Sequence, residues 1–226
     1  MQCFILYYGY YKKGVWLSLL SMKIYNEVKA EQFLSKYLKI NTNKLTKNVN
    51  EALEFSKKYE YPLVLKIISD QALHKSMING VRFVNNEQEL ISNYDDLVRL
   101  SKKKKLKLDG ILTQIFISGK EIIIGGKQDN TFGQVVLFGG GGIFAEVLKD
   151  FSLRICPLSE RDAKEMIEET KIYKFIKDLN LKQIINSILK VNEIMLKHPE
   201  IIELDINPLI VDEKNAVVVD ARMLTN

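Results

Sequence analysis

The residues best suited to chemistry lie near the C-terminus, in the run Glu203-Leu204-Asp205-Ile206-Asn207-Pro208. A strand points alternate side chains to opposite faces, so Glu203, Asp205 and Asn207 share one face while Leu204 and Ile206 take the other. Asp220 follows the apolar run Ala216 to Val219, and a hairpin between the two segments brings it beside Asn207. A small set of hard oxygen donors is what Mg²⁺ held against a polyphosphate requires. The competing reading is a half-exposed strand with a solvated polar face. Lys66 is the second candidate, the one charge in PLVLKII. An ammonium buried among such neighbours is costly unless an anion or a carboxylate pairs with it; a lysine at a strand edge reaching water is the other possibility. The third candidate is the glycine run Gly139 to Gly142, which is either a cradle whose bare amides converge on an anion or a tight turn. Neither the Walker spacing nor GxGxxG occurs.

The elements that must carry these groups are readable from periodicity. Glu27 to Tyr37 has an apolar stripe at Val28, Phe33, Leu34 and Tyr37 and predicts an amphipathic helix. A second helix is expected over 50–59, then a strand from Pro62, a turn at Asn79-Gly80, a strand over 81–84 and a helix over 87–104 with acids early and lysines late. Lys102 to Lys105 reads as a solvated helix end, since no aromatic residues interleave it. Nine of the twelve glycines fall between Gly110 and Gly142, among the runs ILTQIFI, EIIIGG and QVVLF, which predicts antiparallel strands with tight turns. Helices return over 159–170 and 181–197, and the strands IIELDI and AVVVD close the chain. No repeat or low-complexity linker interrupts it, so two interlocked α+β lobes are expected.

The 226 residues are 46% hydrophobic and 27% charged, a globular balance that excludes disordered and collagen-like classes. The net charge of +5 suits an anionic ligand without requiring a nucleic-acid partner. Cys3 and Cys156 are the two thiols, so there is no disulfide framework, and a reducing cytoplasmic setting fits. Residues 1–21 are apolar and aromatic, but Lys12 and Lys13 split them into runs well short of the roughly 18 residues of a membrane span. No membrane partner is expected. This segment is either an extra amphipathic piece or a gene-start artefact preceding Met22.

From about Met22 to Met223 the chain resembles the ATP-grasp beta subunit of ADP-forming acetyl-CoA synthetases, relatives of the succinyl-CoA synthetase beta subunit. The resemblance rests on PLVLKI, HKS followed by GV, GKEIIIGGKQD, FGQVVLFGGGGIFAEVLKD, SLRICPLSE, EMIEETK, and ELDINPLIV with VVVDAR. It implies an α+β ATP-grasp domain over 22–226, dividing near 105–112, whose two lobes have mainly antiparallel sheets and hold a nucleotide between them. Lys66 then contacts nucleotide phosphates, and Gln114, Ile115 and Ile117 form the hinge that meets adenine through backbone groups. Glu121 faces the nucleotide, as do Gly140 and Gly141, and Asn207 and Asp220 bind Mg²⁺ with Asp205 as an outer neighbour.

His74 on its own reads as a surface residue, and His198 as a helix-end residue. In the HKS context, the resemblance makes His74 the imidazole that takes a phosphoryl group from the phosphohistidine of an alpha subunit and passes it to ADP. Lys75 or Arg154 would help to neutralise charge. The implied reaction is acyl-CoA + ADP + phosphate ⇌ acid + CoA + ATP, shared with an alpha subunit carrying the CoA-binding domain in an α2β2 heterotetramer. Two positions depart from the family pattern: Met77 follows HKS, and Ile115 stands where a hinge glutamate is common, which predicts weaker adenine selectivity. Two other readings use the same residues. Another ATP-grasp ligase, such as a succinyl-CoA synthetase beta subunit, keeps Lys66 and the metal pair, and a non-catalytic nucleotide-sensing or RNA-binding subunit needs no turnover.

Overall fold

The computed structural model describes residues 22–71, 78–141 and 150–226; the N-terminal segment 1–21 lies outside them. The described chain clusters into two compact units. The larger holds the described residues up to Tyr25, with Ala30–Ile40 and Ser118–Asn226; the smaller holds Asn26–Lys29 and Asn41–Ile117.

The smaller unit is a four-stranded antiparallel sheet in the order β2-β5-β3-β4, from β2 (Asn43–Thr46), β3 (Leu63–Ile68), β4 (Val81–Val84) and β5 (Gly110–Ile115). Two helices, α2 (Val49–Tyr59) and α3 (Glu87–Lys103), pack against it. Asn48 and Asn86 start them, each accepting the backbone N–H of a glutamate three residues on, at 3.1 and 2.9 Å. Their core joins Phe55, Leu90 and Leu97 to Leu63, Leu65 and Ile67 of β3. The alternate residues of β3, Val64, Lys66 and Ile68, therefore lie on the opposite face, in register with Gln114, Leu112 and Gly110. At the far end of α3, Lys102 to Lys105 are exposed, as the solvated reading expects.

The larger unit is a seven-stranded antiparallel sheet. Its strands run β1 (Lys23–Tyr25), β11 (Ala221–Thr225), β9 (Ile201–Val211), β6 (Lys120–Asp129), β7 (Gly133–Gly140) and β8 (Phe151–Ile155), with β10 (Ala216–Val218) also paired to β9. Helices α1 (Glu27–Leu34), α4 (Glu160–Glu168), the short α5 (Tyr173–Ile176) and α6 (Leu181–Lys197) complete the described helices. A capping box at Ser159 and Asp162 begins α4.

α6 lies across β6 and β7, burying Ile184, Ile188, Val191 and Met195 against Ile122, Ile124, Val136 and Phe138. The approach is close at Gly126, where a Cβ would meet the Met195 sulfur at 2.5 Å. The other face carries the separate pair Ile123 and Leu137. α1 ends at Leu34 rather than Tyr37: Tyr37 N–H bonds to Leu34 C=O at 2.8 Å in the closing turn, and the Tyr37 hydroxyl lies 3.0 Å from His198 Nε2. No helix among the described residues is long and apolar enough to cross a membrane.

Phe138, on β7, is fully buried in the core beneath α6, so Phe138→Ala leaves a cavity and should cost about 3–5 kcal/mol. The check is urea unfolding: the midpoint should fall with the slope unchanged.

Candidate nucleotide and metal site

Each unit arranges part of the expected set. In the larger unit, β9 pairs with three strands, β6, β10 and β11, and a one-residue irregularity sits at its middle. Ile124 of β6 faces Ile206, whereas Ile122 faces Leu209, so β9 fits one extra residue in at Asn207-Pro208. Proline offers no N–H to a ladder and is accommodated in a central strand at such a bulge. The freed groups turn to the segment between β10 and β11. Asn207 N–H donates to Asp220 C=O at 2.9 Å, and Val219 N–H donates to Pro208 C=O at 3.1 Å. These two bonds put the Asn207 and Asp220 side chains on neighbouring, half-buried backbone. Two hard oxygen donors there fit Mg²⁺, which keeps several waters and takes further ligands from substrate phosphates. Among the described residues no group of three or more His, Cys, Asp or Glu could hold a metal, so an ion at this pair depends on Asn207 and on outside oxygens.

Asp205 is engaged elsewhere. Arg222 lies opposite it in register, and Arg222 Nη2 donates to Asp205 Oδ2 at 2.9 Å. The Asp205 side chain is 9% exposed; burial pushes its carboxyl above the usual range, and Arg222 pulls it only part of the way back. Glu203 is also raised, first by burial and then by the Asp205 charge. This face thus carries Glu203, Asp205 and Arg222, with Leu204 and Ile206 buried on the other side as the alternation predicts.

The glycine run does not act as an anion cradle over the residues described. Gly139 and Gly140 belong to β7; Gly140 N–H points to Asp150 C=O at 3.3 Å and Gly141 N–H donates to Glu121 C=O at 2.8 Å. A Cβ on Gly141 would come within 2.8 Å of the Glu121 Cβ, so glycine is required for close packing of backbone. The Gly140 and Gly141 amides are thus turned to backbone carbonyls of the same unit. Glu121 itself is exposed at the start of β6.

In the smaller unit Lys66 is 5% exposed on β3, an interior strand flanked by β4 and β5, which removes the strand-edge alternative. Its ammonium donates to Glu27 Oε1 at 2.8 Å; sequence reasoning missed this partner, 39 residues away. Gln114 is fully buried. Ile115 N–H bonds to Thr42 C=O at 3.1 Å, its carbonyl accepts from Asn41 at 2.7 Å, and Phe116 N–H donates to Pro62 C=O at 3.1 Å. Arg154 pairs with Glu169 and Ser152. Burial pushes the Cys156 thiol up to about 11. His74, Lys75, Met77 and Gly142 lie outside the described residues.

Comparisons with known proteins converge. The ATP-grasp domain family matches residues 21–224. The chain is 37% identical over 209 residues to the acetate–CoA ligase (ADP-forming) I subunit beta of Pyrococcus furiosus, covering 88% of this chain and 90% of that protein. It is 36% identical over 189 residues to acetate–CoA ligase (ADP-forming) I of Archaeoglobus fulgidus, of whose length the match spans 28%. Among solved structures, it is similar at TM-score 0.86 and 36% identity to a chain of Ca. Korarchaeum cryptofilum dinucleotide forming acetyl-coenzyme A synthetase 1 in complex with coenzyme A, Ca-AMPCP and HgCl+, covering 90% of this chain and 94% of that one.

Arg222→Ala leaves Asp205 buried without its guanidinium and should cost about 2 kcal/mol at neutral pH. Loss of Arg222 raises the folded-state pKa of Asp205 further, which penalises the ionised form. The difference from the parent is therefore full at neutral pH and closes as the pH falls and Asp205 protonates in both proteins. Urea unfolding at pH 7 and pH 4 checks this.

Proposed function

The chain belongs to the ATP-grasp domain family, and from that premise we propose that it is the nucleotide-handling beta subunit of an ADP-forming acyl-CoA synthetase, with acetate as the acid. The reaction is acyl-CoA + ADP + phosphate ⇌ acid + CoA + ATP. The observation that carries this reading is the match to the Pyrococcus protein over 90% of its length, since that protein is itself a beta subunit. The short share of the Archaeoglobus ligase supports the same division of labour, in which this chain corresponds to one portion of a larger enzyme.

Lys66 neutralises phosphate charge on ADP or ATP as the phosphoryl group moves. Asn207 and Asp220 hold Mg²⁺, which when bound neutralises the polyphosphate and orients the transferring group. Asp205 stays in the outer shell because Arg222 occupies its carboxylate. Ile117 and its neighbours line the adenine, and Glu121 faces the nucleotide from the start of β6. A neutral ring nitrogen of His74 accepts the phosphoryl group from a phosphohistidine on the alpha subunit, forming one P–N bond as another breaks. The β-phosphate oxygen of ADP then attacks phosphorus, forming a P–O bond and releasing the imidazole. CoA and acyl binding fall to that alpha subunit, in an α2β2 assembly.

The 226-residue chain should be stabilised by MgADP, by about 2.7 kcal/mol at 100 times its Kd. Asp220→Ala should lose the Mg-dependent part of this shift in a thermal titration; undiminished MgADP binding by that variant counts against the metal assignment. Acyl-CoA formation should appear only when the alpha subunit is added, and His74→Ala should abolish it while leaving MgADP binding in place.

A further inference from the structure

Resting on the reading of Lys66 as a phosphate ligand, we propose that Glu27 is a positioning residue, which keeps the Lys66 ammonium aimed while a nucleotide phosphate binds to it. The Glu27 side chain is 0% exposed and that of Lys66 7%, with 2.8 Å between Oε1 and Nζ. On its own face of β3, Lys66 is flanked by Val64 and Ile68 and in register with Leu112, none of which can compensate a charge. Burying an ammonium in such surroundings is costly unless a carboxylate pairs with it. It has three donors, so it can serve a carboxylate and a phosphate at once.

Glu27 is well placed for this task because the chain around it is tied to the end of β3. It stands in the first turn of α1, where a carboxylate meets the positive end of the helix dipole. Asn26 caps that turn, accepting Lys29 N–H at 3.3 Å, and its amide donates to Asp70 at 2.7 Å and to Asp109 at 3.5 Å. Lys29 Nζ lies 3.3 Å from the same Asp70, two residues beyond β3. Residues on both sides of Glu27 are thus fixed to the strand that carries Lys66, and Asn26–Lys29 belongs to the same compact unit. A carboxylate held from both sides is a fixed stop for a flexible lysine side chain, rather than a counter-ion that drifts away when phosphate arrives.

The test is calorimetric titration of the full chain with MgADP and, separately, with adenosine, which lacks phosphate. Glu27→Gln keeps an acceptor oxygen and removes the charge. It should weaken MgADP about tenfold, within the range shown by coupled neighbours, and adenosine by less than about twofold. In a Lys66→Met background the same substitution should change MgADP affinity by less than about twofold, because the effect acts through Lys66. Equal losses for both ligands, the same loss in the Lys66→Met background, or tighter MgADP binding by Glu27→Gln would each overturn the inference, the last by making Glu27 a competitor of phosphate. Thermal unfolding is followed in parallel. Where Glu27→Gln does not fold, Glu27→Asp, which keeps the charge but draws it back by one methylene, should give the same phosphate-selective loss, and an unselective one overturns the proposal. A parent chain that binds no MgADP would remove the functional reading and this inference with it, whereas a parent that binds and variants that fail the phosphate comparison would remove this inference alone.

Discussion

The larger sheet depends on one strand that cannot complete its own ladder. β9 pairs with β6, β10 and β11, and Pro208 deprives it of a donor at its middle. The chain resolves this by taking in one extra residue and handing the Asn207 N–H and the Pro208 carbonyl to the segment that ends in Asp220. The pairing of two oxygen-bearing side chains is a by-product of satisfying backbone groups in a crowded strand. Leu204 and Ile206 before the bulge, and Leu209 and Val211 after it, all stay in the core, because the extra residue resets the alternation. The donor pair therefore stands at the one place in β9 where the pattern of faces changes.

Both units handle buried charge alike. Lys66 in one and Asp205 in the other sit in surroundings that disfavour an isolated ion, and each meets one opposite charge at hydrogen-bonding distance, Glu27 at 2.8 Å and Arg222 at 2.9 Å. Neither pair is evidence of a stable core as such, since burying two charges costs about as much as their attraction returns. Their value lies in specificity of place. A lysine held by a fixed carboxylate and a carboxylate held by an arginine each keep one set geometry.

Much of this was legible in the sequence. Apolar alternation at Glu203 to Asn207, the isolated charge in PLVLKII and the asparagine and serine caps are local signals, and they carried the strands, the helices and Lys66. What local reading could not reach are partners distant along the chain, such as Glu27 for Lys66, and cross-strand neighbours such as Arg222 for Asp205, whose pairing depends on register. The same holds for the glycine run: bare amides at Gly140 and Gly141 say nothing about which carbonyl takes them, and here Asp150 and Glu121 do. Short strands such as β1 and β2, with three and four residues, have too few positions to show a period.

The contact between α6 and β6 has a consequence for how this sequence can change over time. A Cβ at position 126 would fall 2.5 Å from the Met195 sulfur and 2.6 Å from its Cγ, so the bare glycine and the long unbranched side chain are one joint choice. A methyl group at 126 calls for a displaced Met195 side chain or a shorter residue at 195. Descendants of this sequence should cross that ground by paired replacement, with the two positions covarying although they lie 69 residues apart.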